Sequence, residues 1–185
     1  MSNLKQIGVA FLMYAQDYDE YLIPLYSGDS NSSYNWWPAI AVNYLVKRSG
    51  GASGGYAMEK YQGKLNCPNL YRKGYYWMTG YALADTYISP RKLSKIKNQH
   101  LKGMIADSPW DGNRWAWVFY PYLTPITYES TSTSHRNRIV LRHNNLANLL
   151  YVDGHVEQLD MNKWKSMLGP GTWSDIYKTY WDAYF

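Results

Sequence analysis

The strongest constraint on this chain lies near its C-terminal end. Asp153-Gly154 separates two runs rich in β-forming residues, Ala147 to Val152 and His155 to Leu159. A two-residue Asp-Gly connection predicts a tight hairpin, because both turn positions take positive φ and these residues do so at little steric cost. Leu149, Leu150, Tyr151 and Val152 stand in succession instead of alternating with polar residues, which predicts a strand buried on both faces. Further strand candidates are Arg138 to His143, Leu101 to Asp107 (ended by Ser108-Pro109), Trp115 to Tyr122, and part of Tyr75 to Tyr87.

The other end reads as a helix. Leu4, Ile7, Phe11, Tyr14 and Tyr18 recur at intervals of three and four, giving one apolar face over residues 2 to 20. Asp17, Asp19 and Glu20 oppose the helix dipole at the far end, and Pro24 marks a stop. Val9, Leu12 and Met13 add a second apolar row, which serves either a partner or a helix sunk deeper into its own core. A short helix is expected over Ala39 to Lys47 and another over Asn162 to Leu168. Gly169-Pro170-Gly171 then breaks the chain before an aromatic tail. A helix first and antiparallel strands later make an α+β domain with long loops. The 185 residues suit one domain, divided into a helix (1–20), a loop-rich region (21–100), an antiparallel sheet (101–160) and a C-terminal tail (161–185).

Composition narrows the function classes. With 20 Tyr and 9 Trp against 3 Phe, the chain is rich in rings that bury an apolar body while keeping a polar atom. Such rings build a core, or they form an exposed platform on which Trp36, Trp37, Trp110, Trp115 and Trp117 would stack on sugar faces. The net charge of +5 is mild. The basic stretch Arg91 to Lys102 carries no recognisable nucleic-acid module, so it reads as a solvated face and no nucleic-acid partner is expected. An acidic polysaccharide or a membrane surface remains compatible with it.

No nucleophile elbow, phosphate loop or metalloprotease helix motif is present, so no enzymatic activity is expected. Cys67 is the single cysteine, which excludes an internal disulfide and a zinc site built from cysteines. His143, Asp153 and His155 lie close enough along the predicted hairpin to meet, and Asp107 ends another strand. Imidazole with carboxylate either holds a metal, works as acid and base, or clasps the turn. The structural reading ranks first: His143, Asp153, Gly154 and His155 as a clasp, with Asp107, His143 and Asp153 as the metal candidates. No cofactor is required by any motif.

Two segments carry a resemblance. Residues 2–24, SNLKQIGVAFLMYAQDYDEYLIP, and residues 142–156, RHNNLANLLYVDGHV, with His143, nine intervening residues, then Asp153-Gly154, resemble the two signatures of type II secretion pseudopilin-like proteins with a prepilin-type leader. Cys67-Pro68 and Ile105 to Ser108 are similar to that family too, whereas residues 109–135 have no counterpart in it. The resemblance implies a pilin-like fold in which residues 1–20 are the C-terminal half of a longer helix. It implies a leader that is cleaved and methylated, and an inner-membrane anchor upstream of residue 1. The globular part would then face the periplasm or cell surface, with other pseudopilin subunits and the secretion machinery as partners. It further implies a second, upstream cysteine for Cys67 to pair with, and calcium as a conceivable ligand near the C-terminal loops. The alternative is a surface-anchored carbohydrate-binding module with polysaccharide as partner.

Overall fold

The N-terminal helix α1 spans Ser2–Asp17, close to the predicted range, and its Leu4, Ile7 and Phe11 face is fully buried. Three such side chains contribute about 1.5–3 kcal/mol each. The expected face ends early: Tyr14 is half-buried and Tyr18 exposed. Asp19 and Glu20 take left-handed φ of 49° and 67°, and the Glu20 N–H donates to the Ala15 carbonyl at 2.8 Å. The helix is thus closed by a left-handed turn, although acidic residues oppose its dipole there. A second helix, α2 (Trp37–Leu45), packs against α1. The computed structural model describes residues 2–25, 37–45, 67, 80–85, 91–109, 118–127, 137–170 and 175–181.

The sheet comprises β1 (Tyr81–Ala84), β2 (Gly103–Asp107), β3 (Val118–Phe119), β4 (Ala147–Tyr151) and β5 (Val156–Leu159), in the spatial order β3-β1-β2-β4-β5. The β1–β2, β2–β4 and β4–β5 pairs are antiparallel, and short β3 adds in parallel to β1. The α+β class therefore holds. Strand β1 lies within the Tyr75 to Tyr87 stretch read as part strand, and α3 (Met161–Leu168) matches the short helix expected over Asn162 to Leu168; α4 (Asp175–Trp181), in the stretch read as an aromatic tail, was not expected. Asp160 caps α3 by accepting the Lys163 N–H at 2.6 Å, the arrangement that Asp favours at a helix start.

Every residue of β4 is buried, as its unbroken apolar run predicted, and each face has its own cover. A Cβ on Gly8 of α1 would lie 2.9 Å from Leu150 Cδ1, whereas one on Gly103 would lie 3.2 Å from Leu149 Cδ1 and 2.6 Å from Trp181 Cζ3. Neighbouring strand residues point to opposite faces, so α1 covers the Leu150 face and α4 the Leu149 face. Lys102, fully buried, ties α4 down by donating from Nζ to the Lys178 carbonyl at 2.6 Å. A cation suits the last turn of a helix, where carbonyls lack intrahelical partners.

The turns at the two ends of β4 depart from the expected Asp-Gly hairpin. Only Gly154 of the Asp-Gly pair has positive φ, at 90°. The Gly154 N–H donates to the Tyr151 carbonyl and the Tyr151 N–H to the His155 carbonyl, closing a three-residue connection instead of a two-residue one. The two-residue turn lies upstream. Asn144 and Asn145 both take left-handed φ, 56° and 61°, and His143 and Leu146 exchange backbone hydrogen bonds at 2.9 and 3.2 Å. Arg138 to His143, expected as a strand, contributes only an isolated bridge from Val140 to Ile126.

Candidate functional site

The Asn144-Asn145 turn lifts His143 off the end of β4 and aims its ring at the end of β2. There Asp107, fully buried, gathers three donors and the His143 ring. Its Oδ2 accepts the Asn148 backbone N–H at 2.6 Å and Asn148 Nδ2 at 3.1 Å, and His143 Nε2 lies 3.3 Å away. Its Oδ1 faces Arg142 Nη1 at 3.4 Å. The Arg142 side chain, only 4% exposed, also donates to the Gly80 carbonyl at 2.9 Å and to the Ser108 carbonyl. A buried carboxylate beside a buried guanidinium is tolerated because each charge meets its opposite and further hydrogen bonds. Burial, followed by the negative charges of Asp107 and Cys67, pushes the Tyr81 hydroxyl far above its ordinary pKa, with Arg142 opposing.

Cys67 completes the cluster. It is fully buried, and its Sγ lies 3.5 Å from His143 Nε2. One donor atom from each of Cys67, Asp107 and His143 falls within 4.8 Å of the others. A Cys-His-Asp nucleophile relay would need sulfur and carboxylate on different ring nitrogens, so that one takes a proton while the other orients the ring. Here both face Nε2, so the geometry is convergent.

The structure separates residues that the sequence grouped. Asp153 does not approach His143. Its Oδ1 accepts the His155 N–H at 3.1 Å and stands 2.5 Å from His155 Nδ1, while the His155 ring stacks on Tyr151 at 4.2 Å. The clasp therefore divides in two: Asp153, Gly154 and His155 lock an exposed turn, and His143 belongs with Asp107. Among the metal candidates, Cys67 takes the place of Asp153. A sulfur–nitrogen–oxygen set does not suit calcium, which takes six to eight oxygen ligands. Sequence reasoning missed Cys67, Arg142 and Asn148 as members of this cluster. Cys67 and His143 are 76 positions apart, and no local pattern announces such a contact.

A second feature sits where α1 ends. Tyr14, Asp17, Tyr18, Asp19, Tyr21, Leu22 and Pro24 line an open groove of about 550 Å³. The Tyr14 and Tyr18 rings stack at 4.2 Å, and Tyr18 and Tyr21 are 53% and 42% exposed. Lys92 pairs with Asp19 at 2.9 Å and lies over the Tyr21 ring at 5.7 Å. Trp37, expected on a sugar-stacking platform, is instead fully buried and tilts against Phe11 at 6.0 Å. Trp36, Trp110, Trp115 and Trp117 lie outside the described residues.

No family model, curated protein or solved structure matches this chain. Among the described residues no helix is long and apolar enough to cross a membrane.

Proposed function

We propose that this chain is the globular part of a non-enzymatic, pseudopilin-like subunit of a type II secretion or pilus-like assembly. In the full-length protein a helix continuous with α1 anchors it in the inner membrane, and the domain faces the periplasm or cell surface. The observation that carries this reading is the outward side of α1. While Leu4, Ile7 and Phe11 sink into the domain, Val9 and Met13, one turn apart, stay 52% and 41% exposed. A lone domain gains nothing from that second apolar row, whereas a helix lying between neighbouring subunits uses it.

The test places cysteine at Val9 or Met13 in a Cys67→Ser background of the full-length protein in its native host. Oxidation is expected to give crosslinked ladders from these positions and none from Lys165→Cys or Ser166→Cys, which are exposed on α3, a helix that packs with α4. The isolated 185-residue chain should be monomeric by light scattering at micromolar concentration. Crosslinks that do not discriminate between the two sets of positions, or a tight oligomer of the isolated chain, would overturn the reading.

The tyrosine groove supports a second reading, a carbohydrate-binding module. Exposed phenol rings offer flat apolar faces, and Asp17 and Asp19 offer hydrogen-bond acceptors for hydroxyls. Migration of the chain through gels containing soluble polysaccharide is expected to be retarded, and Tyr18→Ala with Tyr21→Ala to abolish the retardation. Equal migration with and without polysaccharide would eliminate this reading.

A further inference from the structure

We propose that Cys67, Asp107 and His143 form a binding site for zinc or a chemically similar divalent transition metal. The donors are a thiol, a carboxylate and an imidazole, a combination characteristic of borderline-soft divalent ions. The spacing fits as well as the chemistry. A tetrahedral zinc ion with a Zn–S bond of about 2.3 Å and Zn–N and Zn–O bonds of about 2.0 Å holds its sulfur and nitrogen about 3.5 Å apart, and its nitrogen and oxygen about 3.3 Å apart. The corresponding separations here are 3.5 Å for Cys67 Sγ to His143 Nε2 and 3.3 Å for His143 Nε2 to Asp107 Oδ2.

Hydrogen bonding alone accounts for the convergence less well. A protonated Nε2 donates to Asp107, but 3.3 Å is longer than the usual N–H···O range. An unprotonated Nε2 accepts from the thiol but then turns its lone pair toward a carboxylate. A cation at the common point attracts all three donors at once. On binding, the Cys67 S–H bond breaks, its proton leaves to solvent, and the thiolate electron pair forms the S–Zn bond. Thiolate and carboxylate bring two negative charges toward the divalent ion and the Arg142 guanidinium, and the latter is also held by the carbonyls of Gly80 and Ser108. The bonds from the Asn148 N–H and Nδ2 to Asp107 Oδ2, at 2.6 and 3.1 Å, fix the orientation of the carboxylate, as outer-shell partners do around metal ligands. Cys67 and Asp107 are sealed from solvent, whereas the His143 side chain is 23% exposed. The ion would therefore enter along the imidazole.

The test uses the tag-free, reduced 185-residue chain with zinc, cobalt or calcium chloride. Zinc should bind at about one ion per chain. Cobalt should give a sulfur-to-metal charge-transfer band together with the intense visible bands of a tetrahedral ion. Zinc should raise the melting temperature and a chelator reverse the rise, with calcium inert. Cys67→Ser and His143→Gln should each weaken zinc binding by more than the ~10–100-fold that loss of an outer-shell partner costs. Cys67→Ser should also erase the charge-transfer band. The wild-type cobalt spectrum decides the matter even if a variant folds poorly. No sulfur band, zinc affinity unchanged in both variants, or a calcium response equal to that of zinc would overturn the proposal.

Discussion

Asp107→Ala is expected to destabilise the domain by about 3–5 kcal/mol, against a total of about 5–15 kcal/mol for ordinary domains. The carboxylate is fully buried, and removing it strands three groups together. The Asn148 backbone N–H loses its 2.6 Å acceptor, the Asn148 side chain loses one at 3.1 Å, and Arg142 keeps its charge in a nearly sealed site without the facing anion. Breaking a buried ion pair from one side costs more than the pair contributes, because an uncompensated charge stays behind. Asp107→Asn isolates the charge term: the amide oxygen still accepts from Asn148, so a smaller loss is expected. Adding Arg142→Met to Asp107→Ala should recover part of the stability, since it removes the buried cation that the carboxylate faced. Urea denaturation midpoints of the four proteins provide the check. An Asp107→Ala loss below about 1 kcal/mol, within the range of ordinary surface pairs, would show that the hub is not structural.

The sequence revealed the parts whose information is local. The spacing of Leu4, Ile7 and Phe11 announced α1, and the run Leu149 to Val152 announced a strand covered on both sides. Turn chemistry was harder to read. Asp-Gly and Asn-Asn both tolerate left-handed φ, and the sequence does not say how many residues the flanking strands leave to the turn. Strand β4 begins at Ala147 and ends at Tyr151. That gives Asn144-Asn145 the two-residue turn and leaves Asp153-Gly154 within a three-residue one. The candidate site depended on this difference, because the Asn-Asn turn carries His143 toward Asp107 and away from Asp153. Cys67 was legible as a lone cysteine but not as a neighbour of His143, since long-range contacts leave no periodic trace. The second cover of the sheet was hidden for another reason. Helix α4 has seven residues, too few for a 3.6-residue period to stand out among so many aromatic residues.

That short helix is the basis of the second large effect. Trp181→Ala is expected to cost about 3–5 kcal/mol, the range for removing a buried aromatic side chain. The indole is fully buried, meets Phe119 edge-on at 5.9 Å, and fills the space beside Gly103. Strand β2 accepts it because Gly103 has no Cβ; one added there would lie 2.6 Å from the indole Cζ3 and 3.1 Å from Cη2. Glycine inside a strand commonly marks such a close approach, and the register between β2 and β4 shifts between Gly103 and Ile105 at the same place. Gly103→Ala should therefore cost about 1–3 kcal/mol by overpacking. The two substitutions act on the same volume: the alanine methyl of Gly103→Ala occupies part of the space that Trp181→Ala empties. The double variant should consequently be more stable than the sum of the single losses predicts, with a coupling of about 0.5–3 kcal/mol. The coupling is read from denaturation midpoints of the wild type, both single variants and the double variant. Additive losses, within about 0.5 kcal/mol, would mean that Trp181 does not pack on Gly103 and that α4 does not form the second cover of the sheet.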